Sequence, residues 1–461
     1  MNDQLTIRNR TFFRNGRPHF LLCDTAWMAF LNLTVEEFRE YAFFRAAQGY
    51  NGLLIQNTPA YQDMPKNIKY FPFYVNDDGS YDLGRWREEY FTMACRKMDI
   101  MREVGITPLI VPMWVSFIPD SQMGKVFDTR GKTFTQFEPY QRFIDRTIEV
   151  YKPYHPVWVL GGDAEMRAED ATNFQYYSYM ARKLREECPG DLITAHTAGG
   201  QMLDERYVRE GFVDFYLYQS GHMYDNFASL LSPAKLAGEY LQRDGKRPVM
   251  NGEPMYEAHG FGNKFGRFTE EYLRRAFWYS VLNGANCGFT YGAHGIWMFY
   301  DNSGFNNEAW SLVPMHWRSA LNLPGSGDVA YCKDLFVRYG MFDVLPAHEL
   351  NLTPYSEIMV GGNADRSTIV AYTPYMNYLY LAGDLRDYEC RWHLLGREKA
   401  VRTAQISVTS GTELSEKLND LCRGQVVKPR VSDELLNAPK VTVVQMLQDN
   451  CDALLVCRKR L

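Results

Sequence analysis

The segment "HPVWVLGGDAEM", His155 to Met166, decides how the chain is read. An uninterrupted apolar run, Val157 to Leu160, leads through Gly161 and Gly162 to an acid, Asp163. A strand with one wet face alternates apolar and polar residues. A strand apolar throughout is covered on both faces, as in a parallel sheet. Such a strand surfacing onto a carboxylate fits the catalytic end of a (β/α)8 barrel. Glu165, the second acid, lies past the strand and reads as loop structure. His155, ahead of the strand, belongs at the opposite face, where residues serve stability.

Working outward, seven more short apolar runs share this texture: "HFLLCD" (19–24), "GLLIQN" (52–57), "TPLIVPMW" (107–114), "LITAHT" (192–197), "DFYLYQS" (214–220), "RPVMNGE" (247–253) and "CGFTYGAHG" (287–295). Amphipathic stretches separate most of them. In "TVEEFREYAFFRAAQGY", Thr34 with Glu37 three residues on forms a capping-box pattern that starts a helix. About eight strand-then-helix units predict an α/β fold, a (β/α)8 TIM barrel over residues 1–348. A doubly wound open sheet is the alternative. It is disfavoured because no G-x-G-x-x-G follows the first strand. After about residue 350 the pattern changes to short β-rich pieces between turn residues, among them "STIVAYTP", "YECRWHLLG" and "DALLVCRKRL". This predicts a C-terminal antiparallel β-sandwich over 349–461.

The whole chain of 461 residues sets further bounds. Hydrophobic residues make up 46% and aromatics 15%, enough for a large core. A net charge of -5 without an extended basic run argues against a nucleic-acid partner. No window approaches the roughly 18 apolar residues of a membrane span, so no membrane partner is expected. The start carries no apolar core behind a basic segment, which predicts a cytoplasmic protein. Nine scattered cysteines without C-x-x-C read as reduced, mostly buried thiols. No H-x-H or H-E-x-x-H occurs, so neither a metal nor a cofactor is expected. Oligomeric state is left open.

Barrel enzymes work at the carboxyl ends of their strands, so the residues there are the site candidates. In order they are Asp24 with Trp27, Gln56, Trp114, Asp163, His196, Gln219 with His222, Glu253, and Tyr291 with His294 and Trp297. Asp163 and Glu253 stand three units apart and, on a closed barrel of about eight strands, can face each other across the mouth. Two opposed carboxylates, one protonated and one ionised, are what glycosidic-bond hydrolysis requires. The aromatic residues suit stacking on sugar rings, and Gln and His suit binding hydroxyls. Each group also has a plain structural reading. Asp163 could cap the next helix, Asp24 could cap a loop, His196 could be a satisfied core group, and Glu257 reads as structural. The coincidence of all of them favours a site.

Together "LCDTAW" (22–27), "WVLGGD" (158–163), "YQSGH" (218–222), "NGEPMYE" (251–257) and "YGAHGIWMFY" (291–300) resemble the apiosidase-like glycoside hydrolases, family 140. The resemblance covers about residues 5 to 345. It implies a retaining clan A enzyme that cleaves a terminal sugar by double displacement. The sugar would be apiose or another furanose or pyranose, released from a plant-type oligosaccharide or glycoside. Carried over by motif, the Asp of "WVLGGD" is Asp163, the acid/base, and the Glu of "NGEP" is Glu253, the nucleophile. The wider clan carries Asn-Glu where this chain has Gly162-Asp163. The shorter acid needs a closer backbone, which two glycines would permit toward the substrate. The C-terminal part resembles a β-sandwich module of the collagen-binding type, although "RWHLLGREKAV" departs from that module's usual turn. A catalytically silent carbohydrate-binding barrel is the alternative function.

Overall fold

The computed structural model describes residues 4–59, 68–121, 125, 131–224, 227–262, 264, 266–305, 308–375, 379–421, 431–445 and 451–460. Eight parallel strands close into a barrel: β1 (Leu21–Thr25), β2 (Gly52–Gln56), β3 (Thr107–Val111), β4 (Val157–Ala164), β5 (Ile193–Thr197), β6 (Tyr216–Gln219), β7 (Val249–Glu253) and β8 (Gly288–Tyr291). Each strand pairs with its sequence neighbour, and β8 closes on β1 in the register Gly288↔Leu21. The runs read as strands are these eight. Their residues are buried almost without exception, which is why they lack alternation.

The helices α1 (Val35–Ala47), α2 (Glu88–Glu103), α3 (Phe137–Tyr151), α4 (Ala171–Glu187), α5 (Glu205–Arg209), α6 (Ser232–Asp244), α7 (Glu270–Val281) and α8 (Pro324–Arg338) follow strands β1 to β8 in turn. The capping box forms: Thr34 Oγ1 accepts from the Glu37 amide, and the Glu37 carboxylate accepts from the Thr34 amide. An N-terminal meander of three short strands, Thr6–Arg8, Thr11–Arg14 and Arg17–Pro18, precedes β1. His155 lies at the amino end of β4, 3.0 Å from Asp191, away from Asp163. Among the described residues no helix is long and apolar enough to cross a membrane.

The C-terminal part holds two antiparallel sheets. One has the order β9 (Leu345–Pro346), β10 (Met359–Gly362), β11 (Thr368–Thr373), β17 (Ala453–Lys459), β13 (Tyr388–Leu394), β14 (Val401–Thr403). The other runs β12 (Leu379–Ala382), β16 (Val441–Val444), β15 (Ile406–Thr409). A helix, α9 (Gly411–Leu421), interrupts the strands and was not expected. Residues 378, 446 and 447, at the ends of expected strands, lie outside the described residues.

The first strand of this sheet unit, β9, begins just ahead of the boundary read at 348, and the two units share a core. Met359, Val370, Tyr372, Leu454 and Val456 belong to the same apolar cluster as the barrel. Across that seam Arg274 of α7 donates to Asp452 (2.7–3.0 Å) and to Asp328 of α8 (2.5 Å). Lys399 donates to Asp328 (2.6 Å) and the Tyr372 hydroxyl to Asp452 (3.1 Å). Removing one partner of a buried pair strands the other's charge, at a cost of about 3–5 kcal/mol. The sheets are therefore fastened to α7 and α8 rather than tethered.

Candidate active site

Both strand-end acids are placed by bulges. Between β4 and β5 the register runs His196↔Gly161 and then Thr197↔Ala164, so Gly162 and Asp163 are extra residues pushed out of the ladder. Between β6 and β7 it runs Tyr218↔Asn251 and then Gln219↔Glu253, so Gly252 is extra. Bulges of this kind re-aim a side chain at a sheet end. The β4 bulge needs positive φ three times in succession: 94° at Gly161, 118° at Gly162 and 52° at Asp163. Asp is among the few side-chain-bearing residues that tolerate the last of these.

The glycines also make room, though for protein rather than for the sugar that the sequence suggests. A Cβ on Gly162 would stand 2.4–2.7 Å from the Trp114 ring, and one on Gly161 would stand 2.7 Å from the His196 carbonyl oxygen. Trp114 covers the bulge. It packs edge-on against Trp27 (5.1 Å between centroids), and Trp27 packs edge-on against His196 (5.2 Å).

Glu253 is almost fully buried. Its Oε1 accepts from the Tyr256 hydroxyl (2.6 Å) and from His222 Nε2 (2.8 Å). Its Oε2 lies 3.0 Å from His196 Nε2, off the line of a well-formed hydrogen bond. Trp27 Nε1 donates to the Tyr256 oxygen (2.8 Å). Indole can only donate, so the phenolic proton is directed to Glu253. Burial would raise the Glu253 pKa. The donors His196 and His222 outweigh it and hold the carboxyl ionised, well below the usual carboxylate range.

The Asp163 amide donates to His196 Nδ1 (3.2 Å). A neutral imidazole that accepts at Nδ1 carries its proton on Nε2. One ring thereby touches both acids, through the amide of Asp163 and through the carboxylate of Glu253. One oxygen from each acid and one ring nitrogen of His196 lie within 4.8 Å of one another, close enough to hold a small cation. The tautomer opposes that use. Nε2 bears the proton, and freeing it would place a proton on Nδ1 against the Asp163 amide.

A row of rings runs away from Glu253: His222 on His259 (4.8 Å), then His259 on His294 (4.9 Å). Burial, followed by repulsion from His222 and His294, holds the His259 pKa well below its ordinary value. Burial holds His294 down to about 3. Both rings are neutral near pH 7.

The structure thus brings Asp163, Glu253, His196, His222, Trp27 and Trp114 together. Gln219 ends β6 opposite Glu253, with Gly199 beside its amide. His294 donates through Nε2 to the Leu312 carbonyl (2.8 Å) and accepts at Nδ1 from Trp297 Nε1 (3.3 Å). Three other expected contacts are engaged within the fold. Asp24 is fully buried and bound by Arg45 Nε (2.5 Å) and the Tyr41 hydroxyl (2.7 Å). Gln56 Nε2 donates to Met28 Sδ (2.7 Å). Tyr291 donates to Glu257 Oε2. Glu165 lies 3.5 Å from Arg167 on the surface side, in keeping with loop structure. Sequence reasoning missed Tyr256 and His259. An aromatic donor three residues after a strand-end acid, as in "NGEPMY", was the available signal for Tyr256.

No curated protein matches the chain. A solved structure titled glycoside hydrolase aligns at TM-score 0.75 and 16% identity, over 99% of this chain and 97% of its own. A family 5 glycoside hydrolase from Bacteroides vulgatus ATCC 8482 aligns at TM-score 0.75 and 17% identity, over 99% and 93%. At these identities the likeness is one of fold, and it extends over both the barrel and the sheets. Residues 8–343, the whole barrel with its bulged acids, match the family described as Apiosidase-like, catalytic domain, and the chain belongs to that family of glycoside hydrolases.

Proposed function

We propose that the protein is a retaining glycosidase with Glu253 as nucleophile and Asp163 as general acid/base. It would cleave a terminal sugar, apiose or another furanose or pyranose, from a plant-type oligosaccharide or glycoside. The observation that carries this reading is the pair itself. A carboxylate held ionised by His196 and His222 has a second acid whose oxygen is within 4.8 Å. Retaining enzymes hold their carboxyls about 5–5.5 Å apart, and inverting enzymes hold them about 6.5–9.5 Å apart to admit a water.

Glu253 Oε1 is saturated by Tyr256 and His222, so Oε2 is the attacking atom. Oε2 forms a bond to the anomeric carbon, the glycosidic C–O bond breaks, and the proton of Asp163 passes to the leaving oxygen. Asp163, now a carboxylate, takes a proton from water. The water oxygen attacks the anomeric carbon and Glu253 is released. Tyr256, held by Trp27, covers the nucleophile and limits its hydration.

The test is hydrolysis of a panel of aryl glycosides and plant-derived oligosaccharides, with the first-formed anomer followed by NMR. Net retention is the expected result. Inversion would overturn the mechanism. Sugar binding without any cleavage would favour a silent binding barrel instead.

A further inference from the structure

A second group of rings follows His222 in the chain. Two residues past His222 stands Tyr224, whose ring packs on Phe261 (5.0 Å) and on Tyr272 (6.1 Å). Phe261 and Tyr272 are 5.8 Å apart. Tyr272 lies in the first turn of α7, at the end of the barrel where the loop from Glu253 returns. One turn on, Arg275 places its guanidinium 6.0 Å from the Tyr272 ring and 5.4 Å from the ring of Tyr375. Tyr375 follows β11 in the sheet unit and is 41% exposed. Tyr224, Phe261 and Tyr272 are half-buried. These contacts form a path from the segment just after His222, across the first turn of α7 and Arg275, to the second unit.

The chemistry of this path suits a neutral polyhydroxylated chain. Arg275, the cation between these rings, is almost wholly buried and donates to Glu271 (2.8 Å), which offsets its charge. What remains is a set of tyrosine rings, with apolar faces for the C–H side of a sugar and hydroxyls for its polar edge. We infer that Tyr224, Tyr272 and Tyr375 form a binding track for the leaving-group sugars of an oligosaccharide, with the sheet unit supplying its distal end through Tyr375. This rests on the glycosidase reading above and gives the sheet unit a part in it. The nearest sugar of the leaving group would pass Tyr224, and the later ones Tyr272 and Tyr375.

The experiment compares two substrates of the full-length protein. One is an oligosaccharide of about three or more sugars that the wild type cleaves. The other is the p-nitrophenyl glycoside of the same terminal sugar, which has no chain to reach the track. For Tyr375→Ala, KM for the oligosaccharide is expected to rise about five- to tenfold, the value of one stacking contact. Both parameters for the aryl glycoside should stay at wild-type values. Tyr272→Ala should behave alike and Tyr272→Phe should restore KM, since Phe keeps the ring. Equal effects on both substrates, or none on the oligosaccharide, would overturn the track. Tyr375→Ala in a Glu253→Ala background, titrated calorimetrically with the same oligosaccharide, reads the contact as affinity. Inversion or absence of aryl glycoside cleavage by the wild type would instead count against the mechanism, so the two failures are distinct.

Discussion

Glu253 and Glu257 stand four residues apart on one exit from the barrel, both are buried, and their pKa values move in opposite directions. Burial pushes each carboxyl toward the neutral form. At Glu253 the imidazoles of His196 and His222 reverse that push and keep the charge. At Glu257 the partners are one phenol, Tyr291, and one amide, that of Gly325 (3.0 Å). These fall short, and burial, with repulsion from Glu270 and Asp328, raises its pKa to about 7. Depth alone therefore does not mark a catalytic carboxylate. The number and kind of donors do.

The sharpest way to test this contrast is to remove each acid. Glu253→Ala is expected to lower kcat on the order of 10⁴-fold or more, as for loss of an essential nucleophile. Glu257→Gln should leave kcat within a few-fold of wild type. Comparable losses at both positions would erase the distinction. Asp163→Asn should follow at about 10²–10⁴-fold, the usual worth of general acid–base assistance. Its deficit should shrink on aryl glycosides whose leaving phenols need little protonation. An equal deficit on all leaving groups would remove Asp163 from the acid role.

Next in size is the backbone that aims Asp163. Gly162→Ala adds a Cβ against the Trp114 ring at a φ of 118°, which side-chain-bearing residues avoid. The bulge must shift, and a displaced acid is expected to cost about 10²-fold in kcat with little change in KM. Smaller still is the effect of thinning the donor set. His222→Phe removes one of the hydrogen bonds to Oε1, which brings Glu253 closer to the condition of Glu257. The acidic limb of kcat/KM should then move to higher pH, because Glu253, the proposed nucleophile, protonates more readily in the free enzyme. An unmoved limb with a raised KM would make His222 a sugar contact only.

The barrel was legible because its strands are buried on both faces and leave a linear signature of continuous apolar runs. The helix starting at Thr34 was legible because a capping box is local. The two acids were legible as strand ends, but their aim was not, since a bulge is a property of two strands in register. The use of Gly161 and Gly162 was misjudged for the same reason: the Trp114 ring they accommodate arrives from another strand. Asp24 ends a strand in sequence as Asp163 does, and was expected as a substrate contact or a loop cap. Only the fold brings Arg45, from the following helix, onto its carboxylate. Tyr256 was overlooked because its role depends on Trp27, more than two hundred residues away, orienting its proton.

The smallest expected effect concerns stability, and it isolates the second acid. The folded protein raises the Glu257 pKa to about 7, above the roughly 4.3 of an unfolded chain. A raised carboxyl pKa means that folding favours the protonated form. Its contribution is complete below about pH 4.3 and is lost as pH climbs through 7, up to about 4 kcal/mol for the full shift. The Glu257→Gln substitution keeps an oxygen for the Gly325 amide and leaves no proton to lose. Denaturant unfolding of wild type and Glu257→Gln at pH 5 and pH 8 should therefore diverge, with the variant gaining on the wild type at pH 8. Parallel pH dependence would mean that Glu257 is ionised in the fold after all. The two acids would then share one electrostatic state, and the donor count would no longer separate a nucleophile from a buried neighbour.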